Sequence, residues 1–256
     1  MGGSGSAYEG IACMGIDYSY EIVVPPRNVA RALTELAGLA PRAGEGPLTT
    51  VTLPGGDQVL LPFTSNFRNE PVDCSDGSTL HLDTAIMFGV DDDAMREFSE
   101  TSRRDPDERG RLAVGYIYLA VQFTSWWHPG YVSLRFTAAT TGMSLAFERS
   151  ASIREVFTGL TAASGGVCCL LDTETVTWQI CWLNGEPAHD TVPGSRFAAH
   201  HDLVATWPAP DGVRGGTPGR TDWTRTVSVA PVPTPVLDSR AGRSTQQSTP
   251  NTQPAD

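Results

Sequence analysis

Lysine is missing from all 256 residues, so the 18 basic side chains are all arginine. Lysine is ordinarily among the commonest residues, and its absence removes whole mechanisms. A P-loop cannot hold a phosphate without its lysine. Schiff-base chemistry, a kinase strand lysine and an S-x-x-K nucleophile pair are excluded in the same way. The plain explanation is codon bias in a GC-rich genome, where arginine displaces lysine. Short catalytic signatures are also missing: there is no G-x-S-x-G elbow, H-E-x-x-H, C-x-x-C or G-x-G-x-x-G. No motif implies a cofactor. No apolar run approaches the roughly 18 residues of a membrane span, and no charged segment leads into an apolar stretch as a secretory signal would. A cytoplasmic, reduced protein is the expectation.

Charge of one sign is scarce. Through Pro208 the chain has 25 acidic residues against 13 arginines, a net charge of −12, and the remainder carries 4 against 5. Such an acidic body repels phosphate backbones and anionic membranes, so neither nucleic acid nor membrane is an expected partner. Its field steers a basic protein partner instead.

The first fifteen residues, opening MGGSGS, read as a flexible leader. They formally match an N-myristoylation pattern, although a Gly/Ser leader or a start at Met14 accounts for them more simply. Patterning begins at Ile16, where Tyr18, Tyr20, Ile22 and Val24 alternate with Asp17, Ser19, Glu21 and Val23, as in a strand. Pro25-Pro26 ends it and opens a helix to about Ala40. A hairpin follows, Thr49–Leu53 with Gln58–Phe63 about Pro54-Gly55-Gly56-Asp57. A long strand spans Leu80–Val90, and Asp91-Asp92-Asp93 caps a short helix. Strands at Leu112–Thr124 and Tyr131–Ala139 precede one helix over Thr141–Ala163, and a last hairpin pairs Val167–Leu171 with Thr175–Leu183. Patterning fades after Asn184, and residues 209–256 have a Pro/Thr/Ser/Gly-rich composition that predicts disorder. The β-α-β-β units predict a single α+β domain over 16–208, with a mostly antiparallel sheet and helices on one face. Two phrases, GIDYSYEIVVP and LPFTSNF, are similar to uncharacterised actinobacterial proteins over about Ile16–Leu183, a resemblance that implies no activity.

Five groups of residues are candidate sites. Trp126, Trp127 and His128 form a turn whose adjacent tryptophans suit a binding anchor or pack as a staple against the sheet. His81 and Asp83 share one strand face, with Cys74 nearby, as one piece of a metal or nucleophile site. Cys168 and Cys169 point to opposite faces. A Thr173-Glu174 turn sets Cys168 opposite Gln179 and diagonal to Cys181, about 7–8 Å away and too far for a disulfide, so buried apolar thiols are expected. His200-His201-Asp202 and Asp91–Asp93 offer metal-capable side chains without convergent spacing.

The leading expectation is therefore a non-enzymatic, acidic, cytosolic binding protein for a basic protein partner, immunity- or antitoxin-like by analogy. The alternative rests on a resemblance. Strands near 16, 49, 58 and 80 around a helix near 27 resemble half of the vicinal-oxygen-chelate architecture, which implies a small-molecule or metal-dependent enzyme with His81 and Asp83 in its site. A third expectation makes the tail the working part and the domain its anchor.

Overall fold

The computed structural model describes residues 16–41, 48–194 and 201–210. The expected leader at 1–15 lies outside them, as does the expected tail apart from Ala209 and Pro210.

The expected α+β arrangement is what forms. The main sheet has eight strands: β1 (Ser19–Val24), β5 (Leu80–Gly89), β6 (Arg111–Gln122), β7 (Val132–Ala138), β8 (Cys168–Asp172), β9 (Thr177–Leu183), β10 (Glu186–Pro187) and β11 (Thr191–Pro193). Their order is β10-β9-β8-β1-β7-β6-β5, with β11 also on β9. All these pairings are antiparallel. The hairpin β2 (Thr49–Thr52) and β3 (Gln58–Leu61) joins β4 (Val72–Asp73) in a separate three-stranded sheet. β1 sits at the centre with all six residues buried.

One face of the main sheet holds the large core. Tyr20, Ile22 and Val24 of β1 pack there with Val29, Leu33 and Leu36 of α1 (Val29–Gly38) and Ile153, Phe157 and Leu160 of α4 (Ala151–Ser164). Tyr20 stacks on Phe157 at 4.3 Å between ring centroids, and its hydroxyl donates to the Phe147 carbonyl at 3.0 Å. Tyr20 thus keeps its polar handle satisfied while its ring is buried.

The single helix expected over Thr141–Ala163 is two, α3 (Thr141–Arg149) and α4. Ser150 between them is extended, and its side chain caps Ile153 N–H. The Ser150 hydroxyl also donates to Asp92 at 2.7 Å, and Asp92 accepts from Ser152 N–H at 2.9 Å and Met95 N–H at 2.8 Å. One aspartate therefore caps both α4 and α2 (Asp93–Ser102). Partial burial opposes its charge, but the donors, led by Ser152 N–H, outweigh it and hold the Asp92 carboxyl below the usual range.

Beyond Asn184, where patterning fades, the chain still forms β10, β11 and the short α5 (His201–Ala205). These lie with the second core on the opposite face of the sheet, where Val192, Leu203 and Trp207 are buried.

Candidate functional site

The face of the sheet away from α1 and α4 carries two rows of side chains set by strand register. One row runs Asp172, Ser19, Thr137, Tyr118, Asp83 across β8, β1, β7, β6 and β5. The next runs Leu170, Glu21, Arg135, Ala120, His81. A strictly alternating strand displays such rows because every second residue shares a face. The β8 end is roofed, and the β5 end is open.

The roof is the Trp126–Gly130 turn. Trp127 is 4% exposed and packs with Trp178, Trp207 and Tyr131 in the second core. Trp127 and Trp178 meet at 5.4 Å and Tyr131 and Trp207 at 5.2 Å, both edge-on. Trp126 is half-buried. Both indoles point inward and donate to Glu21 Oε1, Trp126 at 3.1 Å and Trp127 at 3.0 Å. His128 is half-buried, and its Nδ1 accepts from Gly130 N–H at 3.0 Å. Of the two roles the sequence leaves open for this turn, anchor or staple, its packing is that of a staple closed down on the sheet: the two indole N–H groups need an acceptor, and the buried acid supplies it. Tyr131 donates to the Pro208 carbonyl, which fastens the end of the described chain over the same turn.

Glu21 itself is 2% exposed, and its Oε2 has no partner among the described residues. Burial pushes its carboxyl above the ordinary range, against the pull of Arg135 and the indole donors. Arg135 lies opposite Glu21 but spends its hydrogen bonds on Asp172 at 2.8 Å and Ser19 at 3.1 Å, with its guanidinium 5.5 Å from the Trp178 ring. A raised folded-state value means that folding favours the protonated acid. That stabilisation is complete below the unfolded value of about 4.3 and is lost as pH rises through the folded value. Glu21→Gln keeps the acceptor and removes the charge. It is expected to be more stable than wild type at neutral pH, with the difference vanishing as pH falls toward the ordinary carboxylate range. Urea unfolding of both proteins across that window checks it.

The open end is built around a strained turn. Asn66 and Phe67 have φ of 50° and 58°, and Ser65 and Arg68 exchange both backbone hydrogen bonds around them. Two successive left-handed residues closed this way favour Asn-Gly, so Phe67 stands where glycine is preferred. Asp83 holds it there: Oδ2 accepts Phe67 N–H at 2.6 Å and the Thr64 hydroxyl at 3.2 Å, while Asp83 N–H donates to Thr64 O at 2.7 Å. The Phe67 ring is 60% exposed and meets Tyr116, itself 54% exposed, edge-on at 5.4 Å. Tyr118 is 45% exposed beside them. Phe67 and Tyr118 border a cavity of about 350 Å³ lined also by Asn66, His81, Asp83 and Thr137.

His81 and Asp83 therefore share a groove, as their spacing predicts, but Asp83 is committed to the turn. Cys74 lies buried in the large core. Among the described residues no three His, Cys, Asp or Glu side chains gather into a metal-binding group. His201 and Asp202 begin α5, and His200 lies outside the described residues. The cysteine register differs from expectation. Cys168 pairs with Leu183 and Cys169 with Trp182, with a bulge before Leu170. Cys169, not Cys168, thus shares a face with Cys181, and all the described cysteines are buried. None of the aromatic rings here, Phe67, Tyr116 and Tyr118, is among the sequence candidates; Phe67 escapes because its turn lacks the glycine that signals this geometry.

No protein-family model matches the chain, and neither a curated protein nor a solved structure matches it. No helix among the described residues is long and apolar enough to cross a membrane.

Proposed function

We propose that this is an acidic binding protein that recognises a basic protein partner through the open end of its sheet. One observation carries the reading: two exposed aromatic rings, Phe67 and Tyr118, line one groove, and a third, Tyr116, leans on Phe67 beside it. Exposed aromatics are enriched at the few contacts that dominate protein interfaces, because rigid rings bury area at low entropic cost. The backbone supports it. A phenylalanine held in a left-handed conformation costs about 1–2 kcal/mol relative to an ordinary one, and such strain concentrates at recognition and catalytic positions.

The basic partner follows from charge. A net −12 through Pro208 raises the encounter rate of a positively charged protein and makes it fall with salt. The test is capture from native extract with the full chain as bait, at low and at moderate ionic strength. One basic protein recovered in near-stoichiometric amount, and retained less at moderate salt, is the expected outcome. An empty capture, or retention that does not respond to salt, contradicts the proposal.

A further inference from the structure

A second feature lies on the helix-covered side of the sheet. Cys181 sits at the bulge of β9, on the same face of the sheet as Cys169, and the Cys169 thiol donates a hydrogen bond to the Cys181 sulfur. The guanidinium of Arg154 lies against the same sulfur, with Nη1 at 3.6 Å, while its Nη2 is fixed by Gln179 Oε1 at 2.9 Å. Cys181 lines the floor of a cavity of about 410 Å³ that Arg149, Arg154, Glu155 and His189 also border. A sulfur with a cation, a thiol donor and an opening to solvent is an unusual surrounding for an inert core cysteine. Inert thiols sit in apolar contacts, whereas reactive ones sit in electropositive, partly accessible places.

We propose that Cys181 and Cys169 are a peroxide-sensitive dithiol that closes to a disulfide, with Cys181 attacking and Cys169 resolving. The Cys181 sulfur attacks one oxygen of hydrogen peroxide and the O–O bond breaks. The departing hydroxide takes the proton that Cys181 releases and leaves as water, and Cys181 becomes a sulfenic acid. The Cys169 sulfur then attacks the Cys181 sulfur. The S–S bond forms, the S–O bond breaks, and the hydroxyl leaves as water with the Cys169 proton. Two thiols lose two electrons and one peroxide gains them.

The surroundings assign these roles. The Cys169 hydrogen bond and the Arg154 charge outweigh burial and lower the Cys181 thiol from its usual value. Burial raises the thiols of Cys169, Cys168 and Cys74. Cys168 points to the opposite face of the sheet, among Val23, Trp127 and Trp178. Size selects the oxidant. Cys181 is only 2% exposed, so a peroxide reaches it where a bulky disulfide does not. Trp182 pairs with Cys169 and Cys181 sits at the bulge beside it; facing residues of paired strands have Cβ atoms about 4.5–5.5 Å apart, against about 3.5–4.5 Å in a disulfide. Closure therefore draws β8 and β9 together, and a strained bond of this kind is readily reduced again.

The experiment treats the full chain with hydrogen peroxide, alkylates the remaining thiols after denaturation, and digests without reduction using a protease that cuts after glutamate. Cleavage after Glu174 separates Cys169 from Cys181. A linked peptide joining them is expected, at peroxide doses that leave Cys74 alkylated, and it persists in Cys168→Ser. Cys169→Ser is expected to stall at a sulfenic acid that a dimedone-type probe labels at Cys181. Arg154→Gln is expected to slow the linkage several-fold, because the cation that favours the Cys181 thiolate is gone. Circular dichroism of each variant shows that it folds. No linked peptide in the folded wild-type protein, or linkage in Arg154→Gln at the wild-type rate, overturns the proposal.

Discussion

Replacing Trp127 with alanine is expected to remove about 3–5 kcal/mol of unfolding free energy, the usual cost of deleting a large buried aromatic ring. For a domain whose whole margin is about 5–15 kcal/mol, that is a severe loss. Three consequences add together. The ring packs against Trp178 and Trp207 in the second core, and its removal leaves a void that the rigid sheet cannot close. The indole that satisfies Glu21 Oε1 disappears, so a buried acidic group loses a donor. The turn also loses its hold on Tyr131 and the segment beyond Leu203. Trp127→Phe separates these effects, because it restores most of the ring but not the N–H. It should fall between wild type and Trp127→Ala in urea unfolding. A loss below about 1 kcal/mol for Trp127→Ala would match an exposed side chain and would contradict the roof.

Phe67→Gly is expected to move stability and binding in opposite directions. Glycine adopts φ near 58° without the Cβ penalty, so the variant should be at least as stable as wild type, gaining up to about 1 kcal/mol. The Asp83 hydrogen bond uses the backbone N–H of residue 67 and survives the change. The exposed ring is lost. If Phe67 anchors a partner, affinity falls by about 2 kcal/mol or more, roughly 30-fold in Kd. A substitution that strengthens the fold while weakening recognition is the signature of strain retained for use. Tyr116→Ala removes the ring that Phe67 leans on and should weaken binding in the same sense.

The alternation of Tyr20, Ile22 and Val24 with Ser19, Glu21 and Val23 already assigns the two faces of β1, and that of Leu82, Ile86 and Phe88 does so for β5. The Pro54–Asp57 turn and the Asp92 cap were equally readable, since each depends on neighbours within a few residues. What could not be read depends on distant partners. Glu21 on an alternating strand reads as solvent-facing, and only donors more than one hundred residues later bury it. The helix over Thr141–Ala163 breaks because Ser150 meets an aspartate 58 residues earlier. The loop between β8 and β9 spans residues 173–176 instead of turning at Thr173-Glu174, which shifts the cysteine register and exchanges Cys168 for Cys169 as the neighbour of Cys181. The aromatic groove went unseen because turn signals are tuned to glycine, and a phenylalanine in its place is silent until the fold supplies Asp83.

The groove lined by Phe67 and Tyr118, with Tyr116 leaning on Phe67, is the proposed recognition surface. Its most direct test is titration of the captured basic partner against wild type and Phe67→Gly in parallel, with unfolding measured on both proteins. The account predicts a variant of equal or greater stability that binds roughly 30-fold more weakly. Wild-type affinity in a fully folded Phe67→Gly protein would contradict it.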